Sequence, residues 1–276
     1  MEQVPSVSTN NHDSASERRA VLASLCDELM EAGASGSFPQ DEAIFAAVAY
    51  ARLLASIGGP AERCRLGSYH LLVANRHDTL GNRSRAAFAR VEAAQAFQLA
   101  ADNGDANAVA TLNALGMTVR ESPSAEFESH ARDYDAMCRD AALGDVSTLI
   151  GMIEGSLLGD QHAAQYEGLV VAEWLARLVV PVSAPETLPR LASILAGVLL
   201  VRMDWELREG SEVIAWQKLE QAFSMLAALN RAGEPSAAGA LHGLMNDTAL
   251  LSRAGLKAVI QSFPDLLAFV TPAGIA

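Results

Sequence analysis

Apolar residues recur every three or four positions through most of the chain. One such stripe, Ala43, Ala47, Tyr50, Leu54 and Ile57, lies on a single face of a helix. A second stripe consists of alanine alone, at Ala86, Ala89, Ala93, Ala96 and Ala100. No segment shows the strict alternation of a strand. The pattern therefore predicts an all-α protein of stacked antiparallel helix pairs.

Glycine and proline mark the predicted helix ends. Gly58-Gly59-Pro60 stops one helix, and a short helix is then expected over Arg65–Asn75, followed by a polar loop around His77–Arg83. Further turns are predicted at Asn103-Gly104-Asp105 and Leu143-Gly144-Asp145. In the first of these turns, Asp105 is well placed as the N-cap of the next helix.

Composition along the chain suggests a division into segments. Residues 1–16 are polar and expected to be disordered, and 17–180 form a helical-repeat domain. The segment 181–189 contains three prolines and is the clearest linker-like break. Residues 190–272 are expected to form helical pairs that pack on the first half.

Three segments align without gaps around their turns, namely 99–116, 139–156 and 228–245. The clearest carriers of the pattern are Ala100, Ala101, Gly104, Asp105, Ala108, Leu112 and Gly116. This pattern resembles the Sel1-like branch of the tetratricopeptide-type repeats. In that family, helix pairs stack into a right-handed α-solenoid that binds other proteins, so the resemblance implies such a fold and a protein partner. The third segment does not keep the forty-residue spacing of the first two, so an irregular helical bundle stays an alternative.

The formal charge of −13 argues against nucleic-acid binding and favours a protein or peptide partner, with a basic one as a candidate. The longest apolar run, Leu191–Val201, is too short to cross a bilayer, which predicts no membrane insertion. The N-terminus has no secretory signal, and three scattered cysteines suit free thiols in a reducing compartment. We expect a cytoplasmic, bacterial protein whose oligomeric state stays open.

Two histidine motifs invite a metal-site interpretation. His70, His77 and Asp78 resemble part of a helical metal-dependent phosphohydrolase site, but no matching downstream aspartate stands out, and a helix-end His–Asp capping pair is favoured. Glu126, His130 and Asp133 fall on one helical face, without the second copy that a helical di-metal site needs. A solvated, charge-paired face is favoured there.

The local basic patch consists of Arg76, Arg83, Arg85 and Arg90, which we predict to bind a partner, the alternative being pairing with the chain's own carboxylates. The sequence shows no catalytic, cofactor-binding or metal-binding signature. We therefore predict a non-enzymatic scaffold or adaptor without a cofactor, of chaperone, regulatory or immunity type. The alternative is an all-helical enzyme or small-ligand sensor whose site is assembled from distant residues.

Overall fold

The computed structural model describes residues 10–116, 125–157, 162–179 and 188–246. Within these ranges every regular element is an α-helix and adjacent helices pack together, which confirms the predicted all-α class. The helices are α1 (Asn10–Ser35), α2 (Gln40–Ile57), α3 (Pro60–Thr79), α4 (Arg83–Asp102), α5 (Ala106–Leu115), α6 (Ala125–Ala142), α7 (Val146–Ser156), α8 (His162–Val179), α9 (Leu188–Arg208), α10 (Glu212–Arg231) and α11 (Pro235–Met245).

Two local expectations are corrected. Helix α3 is longer than the predicted Arg65–Asn75, because Pro60 opens it and the Glu62 side chain accepts the Gly59 N–H at 2.7 Å. The predicted polar loop is thereby reduced to a turn at residues 80–82. Helix α1 begins at Asn10, so residues 10–16 of the segment expected to be disordered are helical.

The chain forms two compact units, residues 1–151 and 152–276, and their boundary falls inside α7. It does not coincide with the break predicted at 181–189, of which 181–187 lie outside the described residues. In the first unit α2 packs on α1, α3 and α6, and α4 packs on α3 and α5. In the second unit α8 packs on α9, α9 on α10, and α10 on α11.

Helices are joined repeatedly by one type of turn. In the turn between α4 and α5, Gly104 has φ +91°, its N–H bonds to Ala101 O at 2.9 Å, and the Asp105 N–H bonds to Ala100 O at 3.0 Å. These are the two hydrogen bonds of a Schellman motif. Asp105 then caps α5 through Oδ1, which accepts the Ala108 N–H at 2.9 Å. The same pair of backbone bonds recurs at Gly81, Gly144, Gly210 and Gly233.

These turns reveal that helices α3–α5 and α9–α11 share one plan. Gly210 lies 129 residues after Gly81, and Gly233 lies 129 residues after Gly104. At this constant offset the buried positions coincide: Ala86 with Ala215, Ala93 with Ala222, Phe97 with Leu226, Ala100 with Leu229, Ala108 with Ala237, and Leu112 with Leu241. The two helix triplets are therefore equivalent elements with matched cores.

The preceding helices extend the equivalence at an offset of 125 residues, because the connection between α8 and α9 is longer. Buried Ala47 and Ala51 of α2 correspond to buried Ala172 and Ala176 of α8. The next position is arginine in both helices: Arg52 bonds to Glu92 of α4 at 2.5 Å, and Arg177 bonds to Gln221 of α10 at 2.5 Å. We call α2–α5 the first module and α8–α11 the second module.

Candidate functional site: the outer face of α4

The four predicted partner-binding arginines lie at the end of α3 and along α4. Arg76 Nε is 2.6 Å from Asp41 Oδ1, and Arg90 forms an ion pair with Asp78. Arg83 is exposed and Arg85 half-buried in the first turn of α4. Arg76 and Arg90 therefore contact carboxylates of this chain, and Arg83 and Arg85 border the exposed surface of α4.

That surface carries three exposed apolar residues. The residues opposite the buried alanine stripe are Ser84, Phe88, Val91, Gln95, Leu99 and Asp102, and we call this set the outer face of α4. The exposed fraction is 54% for Phe88, 53% for Val91 and 47% for Leu99. Single exposed apolar residues are ordinary, but Phe88 and Val91 are neighbours on one face, and Leu99 follows on the same face beyond Gln95.

The second module provides an internal comparison. Its α10 has the same buried face, yet its exposed residues at the positions of Phe88 and Val91 are Gln217 and Glu220. The position of Leu99 is taken by Ala228. Helix α10 packs on an equivalent core with polar residues at the positions of Phe88 and Val91. Packing within a module therefore does not require apolar residues at these two positions of α4.

The second module differs in another way, because its interior is charged. Glu173 of α8, Arg202 of α9 and Lys218 of α10 are all buried. Lys218 Nζ donates to both Glu173 oxygens at 2.8 and 2.9 Å, and Arg202 Nη1 donates to Oε2 at 3.1 Å. Arg202 also donates through Nε to Glu206 Oε1 at 3.1 Å. We call these four residues the buried charge cluster.

Electrostatics keep Glu173 ionised inside this cluster. Burial acts to raise the pKa of Glu173, but Lys218, Arg177 and Arg202 outweigh it, and the pKa lies below its ordinary value. The corresponding positions of the first module are Val48, Val73, His77 and Ala89. The cluster therefore replaces interior positions that are mostly apolar in the equivalent module, and it joins three helices through ion pairs.

The histidines of the predicted motif are separated by the structure. His70 is buried and its Nδ1 lies 3.3 Å from Glu92 Oε2, with Arg52 on the other oxygen of the same carboxylate. Burial, and secondarily Arg52, hold the pKa of His70 well below its ordinary value, which favours the neutral ring beside Glu92. His77 is buried with its ring centroid 5.9 Å from that of Phe45. Asp78 is paired with Arg90 and does not join a His–Asp pair.

The described residues include no candidate metal site, and the buried cysteine thiols have raised pKa values. Among those residues no group of three His, Cys, Asp or Glu side chains is placed to hold a metal ion. Asp133 is exposed on α6, while the side chains of Glu126 and His130 lie outside the described residues. Burial raises the pKa of Cys26 to about 12 and that of Cys138 to about 11, so both thiols are protonated at neutral pH.

The outer face of α4 could be recognised from the sequence, although the predicted arginine patch did not include its apolar residues. Once the alanine stripe is taken as the buried side of α4, Phe88 and Val91 fall on the opposite side, where polar residues are expected. The interior charges had a weaker signal: Lys218 falls at helical spacing with the apolar residues of α10, one position before Leu219.

No described helix has the length and apolar character that a bilayer span requires. Comparisons with family models, with the curated proteins and with solved structures gave no match to this chain.

Proposed function

We propose that this chain is a non-enzymatic scaffold or adaptor that binds protein through the outer face of α4. The observation that carries the proposal is the contrast between Phe88 and Val91 in α4 and the polar Gln217 and Glu220 at the equivalent positions of α10. Exposed apolar side chains gain free energy when a partner removes them from water. A degenerate Sel1-like helix-pair repeat is part of the same proposal, since that family binds proteins.

The electrostatic setting supports a protein partner rather than nucleic acid. The chain as a whole carries a formal charge of −13, which disfavours a polyphosphate. Arg83 and Arg85 lie about one turn before Phe88, and Asp102 lies at the opposite end of α4. The apolar residues therefore have basic side chains at one end and an acidic side chain at the other. A protein surface with apolar residues between opposite charges matches this arrangement.

Site-specific photo-crosslinking in the native cell tests the proposal. A photoreactive residue replaces Phe88 in one variant and Gln217 in a second, so that the same position of the two modules is compared. We expect discrete protein adducts from position 88 and few from position 217. Equal labelling at the two positions, or no adduct from position 88, would contradict the proposal.

The purified chain and the position 88 variant also test the alternative, an enzyme or a small-ligand sensor. If purified chain carries a stoichiometric small molecule or metal and position 88 gives no adduct, the function belongs to a ligand site and not to the outer face of α4.

A further inference from the structure

The outer face of α4 is flanked by opposite charges at its two ends. Arg83 and Arg85 lie beside it in the first turn of α4, and Asp102 lies on it at the last residue. Phe88 and Leu99 lie at equal distances along the helix from a point between Ala93 and Ala94. Arg85 and Asp102 are related by the same midpoint. A helix rises about 1.5 Å per residue, so both relations hold along the axis.

We propose that the chain forms a homodimer in which α4 packs antiparallel against α4 of a second copy. This inference rests on the proposed function and names the occupant of the outer face. In that arrangement Phe88 lies level with Leu99 of the second copy, and Arg85 lies level with Asp102 of the second copy. The twofold axis passes between Ala93 and Ala94, and each contact therefore occurs twice, as in an isologous interface.

Charge favours this face over the rest of the surface for self-association. Two copies of a chain with a formal charge of −13 repel each other through most approaches. The first turn of α4 carries Arg83 and Arg85, so an antiparallel approach brings these cations toward Asp102 of the second copy. Opposite charges at both ends fix the antiparallel direction, because a parallel pairing would bring like charges together.

Steric features of the stripe also suit helix-on-helix packing. Ala87 is exposed and Ala94 half-buried beside Phe88 and Val91, and their small side chains let a second helix approach. Packed helices lie about 8–10 Å apart, a distance set by the side chains at the contact. One helix face gives a small interface, below the roughly 1,200 Å² of stable complexes, so the dimer forms reversibly with concentration.

The equivalent face of α10 has one exposed apolar residue, Val213 at the position of Ser84, and lacks the apolar residues found at Phe88 and Val91. It has opposite charges at its ends, Glu212 and Arg231, but Gln217 and Ala228 occupy the positions of Phe88 and Leu99. Antiparallel pairing of α10 would bury little apolar surface, so charge alone does not select it. This difference makes α10 the source of matched substitutions.

Sedimentation velocity of the full chain over a wide range of protein concentration tests the proposal. We expect the wild-type chain to change from monomer to dimer as concentration rises. The double variant Phe88→Gln with Val91→Glu, which copies α10, is expected to dimerise at least about tenfold more weakly. The control Val213→Ser removes an exposed apolar residue of α10 by copying Ser84, and its dimerisation is expected to equal that of the wild type.

Charge reversal tests the antiparallel register. Arg85→Asp and Asp102→Arg should each weaken the dimer, because each places like charges opposite one another. The double variant with both reversals restores opposite charges and should recover the dimer. A double variant no better than either single one would overturn the register, and circular dichroism of each variant verifies that the helices are retained.

Two results would overturn the dimer itself. One is a wild-type chain that stays monomeric at every concentration, and the other is a dimer that the Phe88→Gln/Val91→Glu variant leaves unchanged. If the chain is monomeric but position 88 still crosslinks to a different protein in cells, the dimer is wrong while the proposed function stands. If neither assay shows contact at position 88, both are wrong.

Discussion

Lys218 Nζ donates to both carboxylate oxygens of Glu173, at 2.8 and 2.9 Å, and both side chains are buried in the second module. At the equivalent positions of the first module stand Ala89 and Val48. Removing one partner of a buried pair costs about 3–5 kcal/mol, since the other charge loses its compensation. Glu173 retains Arg177 and Arg202, so we expect Lys218→Ala to lower the free energy of unfolding by about 3 kcal/mol, at the lower end of that range.

A double-mutant cycle separates this ion pair from simple loss of volume. The variant Glu173→Val/Lys218→Ala copies the first module and should cost less than the sum of the two single variants, with a coupling of about 1–3 kcal/mol. Urea unfolding followed by tryptophan fluorescence gives each value. The exposed pair Asp204–Arg208 is the control, where Asp204→Ala should cost less than about 1 kcal/mol. Additive costs at Glu173 and Lys218 would show that the pair is not energetically coupled.

Gly67 and Phe97 form a second matched contact. A Cβ atom added at Gly67 would lie 2.9 Å from three carbons of the Phe97 ring, too close for ordinary contact. The second module has Ala196 and Leu226 at these positions, both in one core. We expect Gly67→Ala to destabilise the chain by about 1–3 kcal/mol, the usual cost of overpacking.

The rescue experiment uses the residues of the second module. Phe97→Leu removes buried ring atoms and should destabilise on its own. In Gly67→Ala/Phe97→Leu the smaller side chain makes room for the new methyl group, so the two costs should be less than additive in urea unfolding. If the double variant loses the full sum, the two modules pack differently at this contact.

The helices and turns of this protein could be predicted from local sequence because they depend on neighbouring residues. The alanine stripe of α4 is buried as predicted, and Asp105 caps α5 as predicted. The start of α3 differs from the prediction because Gly58-Gly59-Pro60, which stops α2, also starts α3. Each of these features is decided within a few residues of the chain.

The buried charge cluster could not be predicted in the same way. Glu173 meets Arg202 and Lys218, which are 29 and 45 residues further along the chain, so periodicity within α9 or α10 does not indicate that these charges are compensated. An isolated arginine or lysine in an amphipathic helix is usually solvated. The equivalence of the two modules likewise depends on the Gly210 turn, which the three aligned segments did not include.

Glycine has opposite effects at two positions of the fold. Gly104 has φ +91°, a region that costs an L-residue about 1–2 kcal/mol, so we expect Gly104→Ala to lower stability by that amount. Gly197 lies in the interior of α9, is exposed, and has open space where a Cβ would be. Gly197→Ala should raise stability by up to about 1 kcal/mol through helix propensity. Thermal unfolding of the two variants checks the signs, and a stabilising Gly104→Ala would rule out the turn described above.

The pH dependence of stability tests the state of His70. Because burial lowers its folded pKa well below the ordinary value of 6.5, protons bind the unfolded chain in preference to the folded one. The contribution of His70 to stability is therefore complete above about pH 6.5 and is lost as the pH falls from there toward the folded pKa. Leu199 occupies the equivalent position of the second module and is buried, so His70→Leu is a natural replacement.

We expect the stability of His70→Leu relative to the wild type to rise as the pH falls below about 6.5, by up to about 1.4 kcal/mol per pH unit. Urea midpoints between about pH 7.5 and about pH 5 measure this difference, since other titrating groups are shared by the two chains. NMR titration of the His70 ring provides the direct measurement, and the ring should stay neutral where unfolded histidine is half protonated. Parallel pH profiles for the two chains would mean that the pKa of His70 is the same in the folded and unfolded chains. A His70→Leu variant that instead gains relative stability as the pH rises would mean that His70 is protonated in the fold, as an ion pair with Glu92.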